Sequence, residues 1–268
     1  MSIKFSKWTG LGNDFVFVEP GQPVLYGPEF EREVVRLCDR RFGIGADGVV
    51  VVTPLNGGFE MRIFNADGSE AAMCGNATRC VAKFIVSRGL AKPGQKVFNL
   101  HPKSGLVKPA LLDDGRVCVD MGLPRDFLGS IKLTADSFDF TAETVSMGNP
   151  HAVIFVDDIE KIQLEKWGSI LEVDKQFPDR CNIEFAQVLS AAQGAPTQIR
   201  MRVWERGCGV TMACGTGSCA TLVAAQRTGR VGAEADVILD GGVLHVKHEG
   251  GGPVLMTGPA AEVFRGEI

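Results

Sequence analysis

Two octapeptides far apart in the chain, Met73-Cys74-Gly75-Asn76-Ala77-Thr78-Arg79-Cys80 and Ala213-Cys214-Gly215-Thr216-Gly217-Ser218-Cys219-Ala220, share one design. Each is a Cys-Gly pair that opens an apolar run with helical spacing. After Cys74 come Val81, Ala82, Phe84 and Ile85, ending near Gly89; after Cys214 come Ala220, Leu222, Val223, Ala224 and Ala225, ending near Gly229. The intervals from Cys74 to Gly89 and from Cys214 to Gly229 are equal. A chain of this kind is expected to use one α/β unit twice, with a cysteine at a helix N-terminus in each copy.

That placement has chemical consequences. Unsatisfied N–H groups and the helix dipole favour a thiolate, drawing a cysteine pKa down from about 8.5 toward neutrality. The same N–H groups bind a carboxylate. Two such cysteines facing one amino acid would allow one thiolate to take the α-proton while the other thiol returns a proton to the opposite face, which is the chemistry of a racemase or epimerase.

The 268 residues suffice for two medium domains, in agreement with the repeat. A net charge of −4 offers no electrostatic basis for binding nucleic acid or an anionic membrane. The N-terminal stretch alternates like a strand and lacks the apolar core of a signal peptide, and no apolar run is long enough to span a bilayer. A cytoplasmic protein is therefore expected. In that reducing setting the eight cysteines are not read as a disulfide framework, and with no Cys-x-x-Cys spacing they are not read as a zinc site. Cys38, Cys80, Cys118, Cys181 and Cys219 are read as small core residues.

Along the chain, strands are expected at 3–9 and 15–18 around the turn Gly10-Leu11-Gly12-Asn13-Asp14, then a helix at 29–41 and a strand from Val49. Gly43-Ile44-Gly45-Ala46-Asp47-Gly48 formally matches a dinucleotide fingerprint, but that motif needs a strand before it and a helix after it. Here the order is helix, glycines, strand, so nucleotide binding is not expected. Further strands are expected at 59–64, 96–101, 105–111 and 117–121, with a hairpin at Asp113-Asp114-Gly115-Arg116. Gly122-Leu123-Pro124 breaks both periodicities and is taken as the domain boundary. Beyond it, strands are expected at 139–147, 152–156, 183–188, 200–205, 236–239, 243–248 and 254–257, with a helix at 160–171.

Six motifs, in order, make the chain resemble the diaminopimelate epimerases, pyridoxal-independent enzymes of lysine and peptidoglycan precursor synthesis. They are Gly10-Leu11-Gly12-Asn13-Asp14-Phe15, Gly43-Ile44-Gly45-Ala46-Asp47, Arg62-Ile63-Phe64-Asn65-Ala66-Asp67-Gly68-Ser69-Glu70, Cys74-Gly75-Asn76, Met147-Gly148-Asn149-Pro150-His151, and Glu205-Arg206-Gly207 through Cys214-Gly215-Thr216-Gly217. The resemblance implies an α+β fold of two pseudo-symmetric halves, each a β-barrel-like sheet around a central helix, with the active site in the cleft between them. The halves are set at 1–121, with 264–268 returning to it, and 122–263.

The resemblance implies that Cys74 and Cys214 are the acid/base pair. It makes Asn13, Asn65, Asn149, Asn182, Glu205 and Arg206 substrate-binding residues. Arg206 suits a distal carboxylate through its donor fork, and Glu205 beside it can accept from the distal ammonium. The N–H groups of Gly75, Asn76, Gly215 and Thr216 are expected to hold the reacting carboxylate and the charge that develops on it. His151 is a candidate for tuning a site group. No cofactor and no metal is implied; the partner is the small-molecule substrate, and a homodimer follows by family analogy. Ala77 departs from the glycine most members carry there, and alanine resists a positive φ. Gly48 stands where some members have a glutamine. Two other readings are a racemase of another amino acid, such as histidine, and a silent amino-acid binding protein. The first predicts losses among the distal-end residues and the second a lost cysteine, and neither loss is present.

Overall fold

Both cysteine-headed segments are helices of equal length. Four α-helices form in chain order: α1 (Pro28–Cys38), α2 (Gly75–Ser87), α3 (Leu164–Leu171) and α4 (Gly215–Arg227). The structure is a computed structural model that describes residues 3–22, 27–189 and 196–268. Its packing divides the chain into Met1–Val119 with Gly258–Ile268, and Asp120–Thr257. The sequence-based limits were 121 and 264; the packing limits are 119 and 258. Among the described residues no helix is long and apolar enough to cross a membrane.

The first unit contains β1 (Lys4–Gly10), β2 (Asn13–Val18), β3 (Gly48–Leu55), β4 (Gly58–Asn65), β5 (Glu70–Ala71), β6 (Leu100–His101), β7 (Ala110–Leu111) and β8 (Val117–Asp120). The second contains β9 (Arg125–Ala135), β10 (Phe138–Ser146), β11 (Pro150–Phe155), β12 (Asn182–Leu189), β13 (Thr197–Glu205), β14 (Gly209–Val210), β15 (Glu234–Leu239), β16 (Gly242–Lys247) and β17 (Leu255–Gly258); β18 (Ala261–Glu267) returns to the first.

In the first unit the strands run in the order β18-β1-β2-β3-β4-β5, with β6 against β4. A tight turn joins β1 to β2, with Leu11 and Gly12 at φ 62° and 85°; two consecutive positive φ values suit the twist of a hairpin. The pair β2–β3 is parallel, so its connection needs a crossover, which α1 supplies. Phe30, Val34, Leu37 and Cys38 of α1 pack on Val16, Val49, Val51 and Phe64. The second unit orders its strands β17-β16-β15-β13-β12-β11-β10-β9, with β14 against β13. Here β11–β12 is the parallel pair and α3 the crossover.

The repeat therefore extends well beyond the cysteine helices. In each half a strand, a helix, a parallel strand, an antiparallel strand, a two-residue strand, a buried helix and another parallel strand follow one another: β2-α1-β3-β4-β5-α2-β6 and β11-α3-β12-β13-β14-α4-β15. A helix enclosed by its own sheet is buried around most of its girth, and α2 and α4 are. Their buried residues run from Gly75 to Ala82 with Phe84 and Ile85, and from Gly217 to Ala225 with Gly215. Both end alike. Gly89 and Gly229 adopt φ 66° and 67°, and the N–H groups of Leu90 and Arg230 donate back to the carbonyls of Ile85 and Ala225. This left-handed stop favours glycine.

Two sequence expectations need correction. The stretches 96–101 and 105–111 form only the two-residue strands β6 and β7 with isolated bridges between them. The strand β9 was missed, because its first six residues are all exposed and carry no inward–outward alternation.

Arg88 fastens β18 to the first unit. Its guanidinium donates to Glu19 at 2.6 Å and to Glu262 at 2.9 Å and lies over the Phe84 ring at 4.9 Å. Removing it strands two partly buried carboxylates. Arg88→Ala is expected to cost about 2–4 kcal/mol and to accelerate amide exchange in residues 261–267 before the rest of the first unit; uniform protection across β18 would contradict this role.

Buried thiols make a second expectation. Burial pushes Cys38 up to about 11 and Cys80 up to about 12. Raised pKa values stabilise the fold below the unfolded thiol value near 9 and lose that contribution as pH climbs above it, since the unfolded chain then releases protons the folded chain retains. Melting temperature should fall between pH 8 and pH 10, and less steeply in Cys80→Ala; parallel curves for the two proteins would count against it.

Candidate active site

In each half the cysteine is the residue just before the buried helix. Cys74 and Cys214 are extended, at φ −145° and −115°, and act as N-cap residues for α2 and α4. The first helical bonds run from Thr78 N to the Cys74 carbonyl at 2.9 Å and from Ser218 N to the Cys214 carbonyl at 3.0 Å. The amides of Gly75 and Asn76, and of Gly215 and Thr216, precede those bonds at each helix head. Ala77 and Gly217 occupy the third position of each helix. Ala77 is not among the positive-φ residues and is fully buried, so alanine there fits an ordinary helical turn.

The two sulfurs play different hydrogen-bonding roles. Cys74 Sγ donates toward Asn13 Oδ1 at 3.8 Å. Cys214 Sγ accepts from Gly217 N at 3.3 Å and lies 3.5 Å from Thr216 Oγ1.

Around Cys74, Asn13 is oriented from behind. Its Nδ2 donates to Asp47 at 2.6 Å, leaving Oδ1 to face both the thiol and Asn76 Nδ2, the latter at 3.2 Å. Asp47 in turn accepts from Arg40 at 2.7 Å and from Asp14 N at 3.0 Å. Burial alone would raise the Asp14 carboxyl, but hydrogen bonds from Arg40 and Lys7 hold it at about 2. Asn76 Oδ1 accepts from the fully buried Arg79 at 2.9 Å, and Arg79 also reaches the Pro259 carbonyl at 3.2 Å. Asn65, the last residue of β4, pairs with Gly48 across the sheet and donates to Ser69 Oγ at 3.0 Å. A Cβ at position 48 would lie 2.4 Å from the Phe64 carbonyl oxygen, so this backbone admits only glycine there.

Around Cys214 the surroundings are more acidic. Burial pushes its thiol well above the ordinary value, and Glu205 pushes the same way; Thr216 and Gly217 oppose them without prevailing. The expectation that a helix N-terminus draws this cysteine toward neutrality does not hold in the substrate-free protein. Burial of the thiol, with the Glu205 carboxylate beside it, outweighs a helix dipole whose effect is limited to about 0.3–2 kcal/mol.

Glu205, the last residue of β13, was expected beside Arg206 at the far end of a substrate. The two side chains take different partners. Glu205 is hydrogen-bonded to Thr211 at 2.5 Å and to Cys214, and burial raises its carboxyl pKa. Arg206 instead donates to the Asp179 carbonyl at 3.1 Å, and its own N–H is held by Asn182 Oδ1 at 2.9 Å. Asn182 Nδ2 donates to the Pro150 carbonyl at 2.8 Å. Arg206 and Asn149 line a recess of about 180 Å³ together with Phe127, Phe177 and Arg180.

His151 is fully buried. Its Nδ1 lies 2.7 Å from Glu184 Oε1 and its Nε2 lies 3.1 Å from Asn149 Oδ1. Glu184 is a residue the sequence reading passed over. The signal available was a carboxylate at an inward position of an otherwise apolar strand, Asn182-Ile183-Glu184-Phe185-Ala186. Among the described residues no group of side chains is arranged to hold a metal ion.

The candidates are thus gathered within each half around a helix-capping cysteine: Asn13 and Asn76 by Cys74, and Asn149, Thr216 and Glu205 by Cys214, with Asn182 and Arg206 at the neighbouring strand ends. Residues 5–126 and 143–263 match the sequence profile of the diaminopimelate epimerases. A diaminopimelate epimerase of Carboxydothermus hydrogenoformans is 43% identical over 280 residues, covering 99% of each chain. One of Synechococcus elongatus is 43% identical over 287 residues, covering 100% of this chain and 99% of that one. In fold, the chain is similar to a Bacillus anthracis phenazine biosynthesis protein of the PhzF family (TM-score 0.72, 17% identity, 100% and 99% coverage). It is also similar to an Agrobacterium vitis hydroxyproline epimerase with bound trans-4-hydroxy-L-proline (TM-score 0.71, 15% identity, 100% and 92% coverage). With both halves matched by the profile and relatives this similar along the whole length, the chain belongs to the diaminopimelate epimerase family.

Proposed function

We propose that this protein interconverts L,L- and meso-diaminopimelate in the cytoplasm, without pyridoxal, by two-cysteine acid/base chemistry. The observation that carries the reading is the duplicated N-cap cysteine, each with its sulfur hydrogen-bonded at the head of a buried helix. One thiolate removes the α-proton and the opposing thiol protonates the other face, so the configuration inverts while the proton count is conserved. The amides of Gly75, Asn76, Gly215 and Thr216 hold the reacting carboxylate and the charge it gathers.

The raised Cys214 pKa gives the substrate a part in its own activation. A thiol buried beside Glu205 ionises poorly until a cation arrives, and the substrate's α-ammonium is such a cation. Glu205 accepts from that ammonium. At the distal end Arg206 grips the second carboxylate through its donor fork, with Asn149, Asn65 and Asn182 fixing the remaining polar groups. By family analogy the active form is a homodimer.

The test is proton NMR of L,L-diaminopimelate in deuterated water with reduced protein, with histidine, lysine and glutamate in parallel. Loss of the α-proton signal with appearance of the meso isomer is expected for diaminopimelate alone. Exchange with histidine instead would move the assignment to another amino-acid racemase, and silence in every tube with both thiols free would favour a binding protein. Cys74→Ala and Cys214→Ala are each expected to lose at least about three orders of magnitude in turnover with unchanged circular dichroism; substantial epimerisation by either would sink the two-thiol mechanism. Arg206→Lys should lower kcat/KM about 10- to 100-fold, and an unchanged value would remove Arg206 from the distal grip.

A further inference from the structure

The repeat departs from itself beside Cys214. Matching strand registers, His151 and Asn182 face each other across β11–β12 as Phe15 and Gly48 do across β2–β3. His151 therefore corresponds to Phe15, and Glu184 to Val50. All four are buried, but the first half has two apolar residues where the second has a histidine and a carboxylate. A third difference belongs with these. Gly217 stands where α2 has Ala77, and a Cβ on Gly217 would lie 2.7 Å from Glu184 Oε1. The carboxylate and the glycine that admits it occur together, in one half alone.

Contacts lead from this pair to the sulfur. Glu184 Oε1 is 2.7 Å from His151 Nδ1, His151 Nε2 is 3.1 Å from Asn149 Oδ1, Asn149 Nδ2 is 3.4 Å from Thr216 Oγ1, and Thr216 Oγ1 is 3.5 Å from Cys214 Sγ. Chemistry sets the direction of the chain. An amide oxygen only accepts, so Nε2 carries a proton. An amide nitrogen only donates, so Thr216 spends a lone pair on it and its O–H is left for the sulfur. With Nε2 protonated, a proton must also lie between Nδ1 and the carboxylate, on one or the other. The rival arrangement has an ionised Glu184 beside a neutral ring protonated only at Nδ1; Asn149 then turns over, its oxygen takes the Thr216 hydroxyl, and Thr216 is left to accept from the Cys214 thiol.

We propose that Glu184 is a positioning residue: by sharing a proton with His151 Nδ1 it keeps Nε2 a donor, which orients Asn149 and turns the Thr216 hydroxyl hydrogen toward Cys214 Sγ. The effect is one of orientation, and no proton crosses the amide. Glu184 Oε2 has no hydrogen-bond partner among the described residues, so the imidazole is the carboxylate's principal interaction. The other titratable or charged groups acting on this cluster are Cys181, just before β12, Glu205 and Arg206 at the end of β13, and Cys214 itself. The proposal rests on Cys214 being an acid/base group.

Two measurements test it. In substrate-free wild-type protein, ¹⁵N–¹H correlation of the His151 ring is expected to show Nε2 protonated; an unprotonated Nε2 would overturn the proposal, whatever the protein's activity. In Glu184→Gln the amide side chain can donate or accept and no longer sets the tautomer. Turnover should fall at least about tenfold with KM within about twofold, and the acid limb of the pH–rate profile should move up by about half a unit or more. A limb that moves down would mean that Glu184 acts as a bare negative charge, and an unmoved limb that it only packs; either result refutes the proposal. On a Thr216→Val background, where the last link is cut, Glu184→Gln should cost less than about twofold; an undiminished cost would also refute it. Absence of turnover by the wild type would defeat the functional reading instead, and the ring measurement would still decide the proposal, as it would if Glu184→Gln failed to fold.

Discussion

Enclosing a helix leaves the amides of its first turn without water, and in this protein that constraint governs where the chemistry gathers. Peptide N–H groups removed from solvent need acceptors; at the head of α4 Cys214 Sγ accepts from Gly217 N, and Asn13 and Asn149 lie beside the two heads through side-chain bonds to Asn76 and Thr216. A carboxylate ligand meets the same need. Under the proposed function the same heads receive the carboxyl end of an amino acid, with the cysteine approaching its α-carbon.

Duplication supplied two such heads, but their surroundings have been tuned differently. Cys74 is backed by a charged network, Lys7, Asp14, Arg40 and Asp47, whose effect is to hold one asparagine in one orientation. Cys214 is opposed in its ionisation by its own burial and by the Glu205 carboxylate. Under the proposed function, two thiols in unlike electrostatic settings suit a reaction that runs both ways, because neither thiol does the same work in the two directions. The geometric likeness places the groups, and the chemical difference assigns their resting states.

Much of this was legible in the chain. The equal spacing from Cys74 to Gly89 and from Cys214 to Gly229 reflected two helices with the same cap and the same left-handed stop, because both ends depend on local chemistry. What escaped depended on tertiary environment. The strand β9 is exposed along most of its length, so no burial pattern is written into its residues. The direction of the Cys214 shift depends on burial of the thiol and on Glu205 beside it, both of which arise only when the chain folds. The neighbours Glu205 and Arg206 read in sequence as a joint grip on one end of a ligand; in the fold Glu205 turns to Thr211 and Arg206 to the Asp179 carbonyl.

The return of β18 to the first unit bears on how the chain is made. Lys4 of β1 pairs with Glu267 of β18, and Arg88 joins Glu19 to Glu262. During synthesis the first unit emerges from the ribosome with an open sheet edge, and it stays open while all of the second unit is translated. The second unit, continuous in sequence, has its strands in hand by then. The half that begins first is therefore the half that finishes last, and until β18 arrives its edge is the part of the nascent protein most exposed to pairing with a neighbour.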